Sequence, residues 1–190
     1  MTHELLMQII YQGIGVIALI LSALSFQFKT VKKILLVQGT GSIFWCVHFL
    51  LGGAYAACIM NALCVIRSIA YIFITNKKAR WAFTGVICAL FIGAGVLSVL
   101  QFNELWFIAV LTGSASIAGN IFFSLENERI YKYVQLGYIS PCWMFNNIWY
   151  MSIGGILCES FNIVSVIVYI IRTSIKKKTN KNEELKSGQD

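Results

Sequence analysis

The stretch KKILLVQGTGSIFWCVHFLLGGAYAACIMNALCVIRSIAYIFITNKK, residues 32–78, decides the fold. Between Lys32-Lys33 and Lys77-Lys78 it holds two apolar runs, near residues 33–51 and 54–75, parted by Gly52-Gly53. Each run is about 20 residues long, the length of α-helix that crosses a hydrocarbon core of ~30 Å. The basic pairs stand at the two far ends and the turn between the runs carries no charge. A helical hairpin with both charged ends on one side of a bilayer follows from that pattern.

Working outward, five further apolar runs have the same length, near residues 8–27, 82–101, 105–124, 131–150 and 153–173. With seven spans the charges sort by side. Lys29, Lys32 and Lys33, then Lys77, Lys78 and Arg80, then Arg129 and Lys132, then Arg172 and the tail lysines all fall on one face. Fourteen of the 15 Lys and Arg residues lie there, and Arg67, inside a span, is the exception. The connections at Gly52-Gly53, Asn103-Glu104 and Met151-Ser152 hold no basic residue. Basic loops stay in the cytoplasm, so the N-terminus is expected outside and the C-terminus inside. Six or eight spans would scramble the alternation.

Composition agrees with this reading: 58% of residues are hydrophobic, 12% are charged, and mean hydropathy is +0.74. An ordinary soluble globule is excluded. The net charge of +7 is a cytoplasmic-face excess that suits an anionic leaflet, and nucleic acid is not an expected partner. Residues 1–12 lack a positive n-region, so no cleavable signal is expected and the first tail should be translocated. All six cysteines lie inside spans without a C-x-x-C pair and read as small apolar packing residues.

The spans divide as three, one and three. Span 2 follows Lys32-Lys33 and carries Gln38, Trp45 and Gly52-Gly53, with Asn61 in span 3. Span 6 follows Glu128-Arg129 and carries Gln135, Trp143 and then Gly154-Gly155, with Asn162 in span 7. Trp-to-Asn spacing is 16 in the first half and 19 in the second, but the order of features is shared. Spans 1 and 5 match through small residues four apart, Ala18 with Ser22 and Ala115 with Gly119, which let helices approach closely. An unpaired fourth span lets both copies point the same way, the layout of parallel-repeat carriers. The expected units are a first three-helix repeat at 1–75, a linker helix segment at 76–104, a second repeat at 105–173 and a disordered basic tail at 174–190.

Two segments then carry a family resemblance: His48-Phe49-Leu50-Leu51-Gly52-Gly53-Ala54-Tyr55 with Asn61 and Arg67, and Trp143-Met144-Phe145-Asn146-Asn147 with Ser152-Ile153-Gly154-Gly155 and Glu159. Together with Gln12-Gly13-Ile14-Gly15-Val16-Ile17-Ala18, they resemble the bacterial inner-membrane YgjV family over roughly residues 11–172. The resemblance implies a multi-pass protein of the bacterial inner membrane. More remotely, the three-one-three layout resembles the SWEET and PQ-loop carriers of sugars and other small polar solutes. That likeness implies Trp and Asn side chains around the solute, Trp45 with Asn61 and Trp143 with Asn162. Those carriers use several proline hinges, whereas this chain has Pro141 alone, so glycines such as Gly13, Gly15, Gly39 and Gly41 would supply flexibility.

Counting 1.5 Å per residue from the outer loops puts Trp45 and Trp143 roughly 10 Å deep, with Asn61, Glu159 and Asn162 between about 8 and 14 Å. Flat apolar faces with a few hydrogen-bonding groups form a pocket for a small polar solute. The competing reading is interfacial Trp and interhelical Asn packing. Glu159 should face the bundle interior, either protonated or paired, and serve proton coupling or solute binding. Arg67 should point inward, toward Glu159, a helix carbonyl or an anionic group. His48 either bonds between helices, senses external pH or pairs with Glu159. Pro141 predicts a kink beside Trp143.

No enzyme is expected. The chain lacks H-E-x-x-H, paired aspartates and a phosphate-cradling glycine loop with a following lysine. No metal or other cofactor is expected either, since only His3 and His48 are available as histidines. The expected function is a carrier moving a small polar solute by alternating access. The alternative is a non-transporting membrane protein, receptor-like or a structural partner in a larger complex. Expected partners are membrane lipids and the solute, with self-association into a homo-oligomer left open.

Overall fold

The computed structural model describes residues 3–25, 31–125 and 128–187. Among them the chain is all-helical: α1 (His3–Ser25), α2 (Val31–Leu51), α3 (Tyr55–Phe73), α4 (Lys77–Phe102), α5 (Trp106–Ser124), α6 (Glu128–Val134), α7 (Ser140–Trp149) and α8 (Ile153–Ser187). A π-helical turn, Gln135–Ile139, joins α6 to α7 without a break. Counting that composite once gives seven rods, the number expected from hydropathy. Lys29, Glu126 and Asp190 lie outside the described residues, as do the side chains of Lys32, Arg129, Arg172 and the tail lysines.

Among the described residues, five rods are long and apolar enough to cross a membrane: Glu4–Ser25, Tyr55–Phe73, Lys77–Phe102, Trp106–Ser124 and Ile153–Ile171. In the second, α2, the apolar stretch among the described residues is Leu35–Leu51. The sixth is interrupted by the π turn. Pro141 has no N–H to continue the α-helical ladder, and its ring crowds the preceding turn. The chain relaxes by widening that turn, so Ser140 N–H reaches back to Gln135 O. The kink expected beside Trp143 thus takes the form of a π turn just before the proline. At the other end of the chain, α8 runs to Ser187, and its Lys-, Glu- and Asn-rich end holds no proline and no glycine before Gly188.

Large apolar side chains lie on the outside of the bundle, for example Phe73 at 77% and Leu100 at 71% exposure. That is the inverse of a water-soluble fold and suits lipid as the solvent. The interior is smaller in grain. Met60, Leu63, Ile87, Phe91 and Ala94 form one buried cluster between α3 and α4, and Trp143 packs against this and two further clusters.

Packing joins α2 to both α1 and α3, and α7 to both α5 and α8. Between these groups, α1 meets α8 and α3 meets α5, while α4 lies against α3 and α5. The α1–α8 crossing is close because Gly154 abuts the Gly15 backbone. A Cβ on Gly154 would fall 2.6 Å from the Gly15 carbonyl carbon.

The hairpins α2–α3 and α7–α8 share one backbone design at a constant offset. Their helices end at Leu51 and Trp149 and resume at Tyr55 and Ile153, an offset of 98 each time (149 − 51, and 153 − 55). Gly52 N–H donates to His48 O and Tyr150 N–H to Asn146 O; Gly53 N–H donates to Leu50 O and Met151 N–H to Ile148 O. Ala54 N–H donates to Phe49 O and Ser152 N–H to Asn147 O. The left-handed residue is the second donor of each set: Gly53 at φ 72° and Met151 at φ 50°. A methionine there is sterically strained, yet it closes the same turn.

Candidate functional site

The polar groups gather at three levels. At the hairpin end, His48 is fully buried and joins three elements. Its Nδ1 lies 2.8 Å from Tyr11 O on α1 and its Nε2 lies 2.6 Å from Ser152 Oγ before α8. A carbonyl only accepts, so Nδ1–H donates; in the neutral ring Nε2 then accepts from the Ser152 hydroxyl. Ser152 Oγ in turn accepts from Gly155 N–H at 3.1 Å. The Tyr11 ring stacks on the imidazole at 4.1 Å and 8°. Around them, Tyr11 OH donates to Tyr150 O at 3.0 Å, and Gln12 bonds Met151 O at 3.0 Å and Ile153 N at 3.1 Å. Of the three roles considered for His48, the geometry displays the interhelical bond.

Glu104 is the residue that sequence reasoning missed. Although it stands in the short connection between α4 and α5, it is only 8% exposed. One carboxylate oxygen accepts from Ala56 N–H at 2.6 Å, in the first turn of α3, and the other accepts from Tyr150 OH at 2.6 Å. The carboxylate therefore occupies a helix N-terminus, where unpaired N–H groups and the helix dipole favour an anion. It ties the α2–α3, α4–α5 and α7–α8 connections together. An acidic residue in an otherwise uncharged apolar loop was the available signal.

One level deeper, Trp45 and Trp143 do converge. Phe49 stands between them, stacked on Trp45 at 5.7 Å and on Trp143 at 6.0 Å. Trp45 Nε1–H also donates to Ser22 Oγ on α1 at 3.1 Å. Glu159 and Asn162 are neighbours, with Asn162 Nδ2 donating to Glu159 Oε2 at 3.3 Å. Ser140 is buried beside the π turn, where Gln135 Nε2 donates to its Oγ at 2.9 Å. Asn61 is buried and its Nδ2 donates to Ala57 O within its own helix at 2.8 Å.

Arg67 is placed elsewhere. Its guanidinium lies over the Phe123 ring at 5.6 Å, and its Nε is buried without a partner. Of the expected hinges, Gly39 packs near Ser68 and Gly41 near Leu21 and Ser22. Pro141 is exposed at the start of α7. Asn146 is 1% exposed, and both polar atoms of its amide lack a protein partner. A buried amide in that condition calls for a hydrogen-bonding guest. Among the described residues, no cluster of three His, Cys, Asp or Glu side chains is placed to hold a metal.

Nearer the basic end, Tyr71 OH meets Thr84 Oγ1 and Ser124 Oγ, each at 2.7 Å, and donates to Asn120 Oδ1 at 3.2 Å. Asn120 Nδ2 donates to Thr84 O at 3.2 Å. This knot joins α3, α4 and α5. Asn120 is fully buried within it.

Apolar rods with lipid-facing exteriors and buried polar ties define a helical, multi-span membrane protein. Within that class the chain belongs to the Imp-YgjV family of bacterial inner membrane proteins, which it matches over residues 9–177. Its place is accordingly the bacterial inner membrane. No curated protein and no solved structure matches the chain.

Proposed function

We propose that the protein is a SWEET-like carrier that moves a small polar solute by alternating access. In this reading it is a parallel three-one-three repeat with its N-terminus outside and its C-terminus in the cytoplasm. The constant 98-residue offset between the hairpin turns carries the reading, because two copies of one unit are what a rocking carrier needs. The packing pattern is in keeping with it: α1 against α8 corresponds to α5 against α3. The offset also pairs Trp45 with Trp143, His48 with Asn146, and Asn61 with Glu159. Asn162, matched to Asn61 by residue type, then stands one turn further on as the hydrogen-bond partner of Glu159.

The solute site is assigned to Trp45, Asn61, Trp143, Glu159 and Asn162, and the unpartnered amide of Asn146 is added to it. Glu159 is the candidate for proton coupling, held by Asn162. Basic loops on one face support the orientation. Membrane lipid is the expected surroundings, and no catalytic step is part of the reading.

One observation favours the alternative of a non-transporting structural or receptor-like protein. Phe49 fills the space between the two tryptophans, as a packed core would. A thermal-shift screen of purified protein against sugars, nucleosides, amino acids and small carboxylates, beside Glu159→Gln, separates the two. A ligand of the folded state raises the melting temperature by mass action. Stabilisation by one class that is lost in the variant supports the carrier; no shift at several pH values favours the alternative.

A further inference from the structure

Two of the six cysteines are not isolated packing residues. Cys46 on α2 and Cys58 on α3 face each other across the hairpin with their sulfurs 3.2 Å apart. Both are partly exposed, whereas Cys142 and Cys158 are buried. The contact is set by the turn: Gly52, Gly53 and Ala54 reverse the chain tightly, so residues six before Gly52 and four after Ala54 meet at similar depth. Trp45, pinned to Ser22, and Phe49 pack beside them.

We propose that Cys46 and Cys58 form a reversible disulfide that staples α2 to α3. A disulfide needs its sulfurs at about 2.05 Å, so the pair must close by little more than one ångström, within the play of two χ1 angles. On the orientation proposed above, the hairpin turn faces the oxidising side of the inner membrane, where disulfides persist. The chemistry is thiol–disulfide exchange with an external disulfide oxidant. One of the two cysteine thiolates attacks one sulfur of the oxidant, whose own S–S bond breaks and releases a thiol. The other thiolate then attacks the protein sulfur of that mixed disulfide. The Cys46–Cys58 bond forms, the mixed bond breaks, and the second oxidant thiol departs. Two electrons pass to the oxidant, and the two protons of the cysteines end on its thiols. The 98-residue counterparts of these cysteines are Met144 and Ile156, so the staple belongs to one hairpin alone. It would hold α2, which carries His48, Phe49 and Trp45, rigidly against α3.

The test uses the full-length protein in detergent, incubated with glutathione disulfide, then denatured and alkylated with a mass-tagged maleimide. The expected result is six reactive thiols before oxidation and four after, with a peptide linking residues 46 and 58 in the wild type. Cys46→Ser and Cys58→Ser should each keep five thiols under both conditions. Six thiols after oxidation, a cross-link between other cysteines, or protection reversed by a chelator rather than a reductant would each overturn the proposal. Oxidation in detergent does not depend on sidedness. A failure there therefore counts against the pair, while failure only with an impermeant oxidant on whole cells counts against the orientation.

Discussion

The Nε2 atom of His48 lies 2.6 Å from Ser152 Oγ, a bond between residues 104 positions apart that closes α2 onto the start of α8. With Tyr11 O on the other ring nitrogen, one imidazole satisfies groups from three elements in a fully buried place. Removing it strands both partners away from water. His48→Ala should destabilise the folded protein by about 2–4 kcal/mol, the sum of a lost ring and unpaired buried groups. Unfolding in detergent monitored by Trp fluorescence measures this; a change below about 0.5 kcal/mol would show that the bridge is not structural.

The α1–α8 crossing makes a paired prediction from two glycines. Gly154→Ala forces a methyl against the Gly15 backbone and should lower the melting temperature. Gly13→Ala meets nothing within 4 Å and removes a helix-interior glycine, so it should be neutral or stabilise by up to about 1 kcal/mol. Equal effects of the two in thermal scans would contradict the close approach.

Glu104 should matter more than a loop residue ordinarily does. Glu104→Ala leaves Ala56 N–H and Tyr150 OH without their acceptor and should cost about 1–3 kcal/mol. Glu104→Gln keeps an acceptor but removes the charge at the α3 N-terminus, a loss of roughly 0.3–1 kcal/mol. The order Ala worse than Gln worse than wild type is read from melting temperatures.

Tyr150, in the connection before α8, gives a pH dependence. Burial, and then the Glu104 carboxylate that accepts its hydrogen bond, push its hydroxyl well above the ordinary value near 10. The raised pKa favours the neutral phenol in the folded state, while the unfolded chain releases its proton from about pH 10 upward. Stability from this group is therefore complete below about pH 10 and lost as pH rises beyond it. Tyr150→Phe should flatten that alkaline decline, seen as a smaller difference in melting temperature between pH 9 and pH 11.

At the basic end, Tyr71→Phe removes the hydroxyl that binds Thr84, Asn120 and Ser124. Thr84 and Ser124 remain bonded to each other at 2.7 Å, which limits the loss to about 1–2 kcal/mol. Chemical unfolding of the variant beside Thr84→Val would test whether the knot acts as a unit, through a double variant whose cost is less than additive.

Much of this protein was legible in its residue order, because a bilayer reads local properties. Apolar length, lysines at span ends and uncharged turns each act within one helix, and they determined seven rods and the hairpins at Gly52-Gly53 and Met151-Ser152. The quoted segments also determined the family. The tertiary structure alone decided who meets whom. That His48 takes Ser152 and Tyr11, that Glu104 is drawn in to cap α3, that Arg67 turns to Phe123, and that Phe49 sits between Trp45 and Trp143 depends on helices distant in sequence. A polar side chain in hydrocarbon must find a partner, but its identity depends on how the helices are packed together.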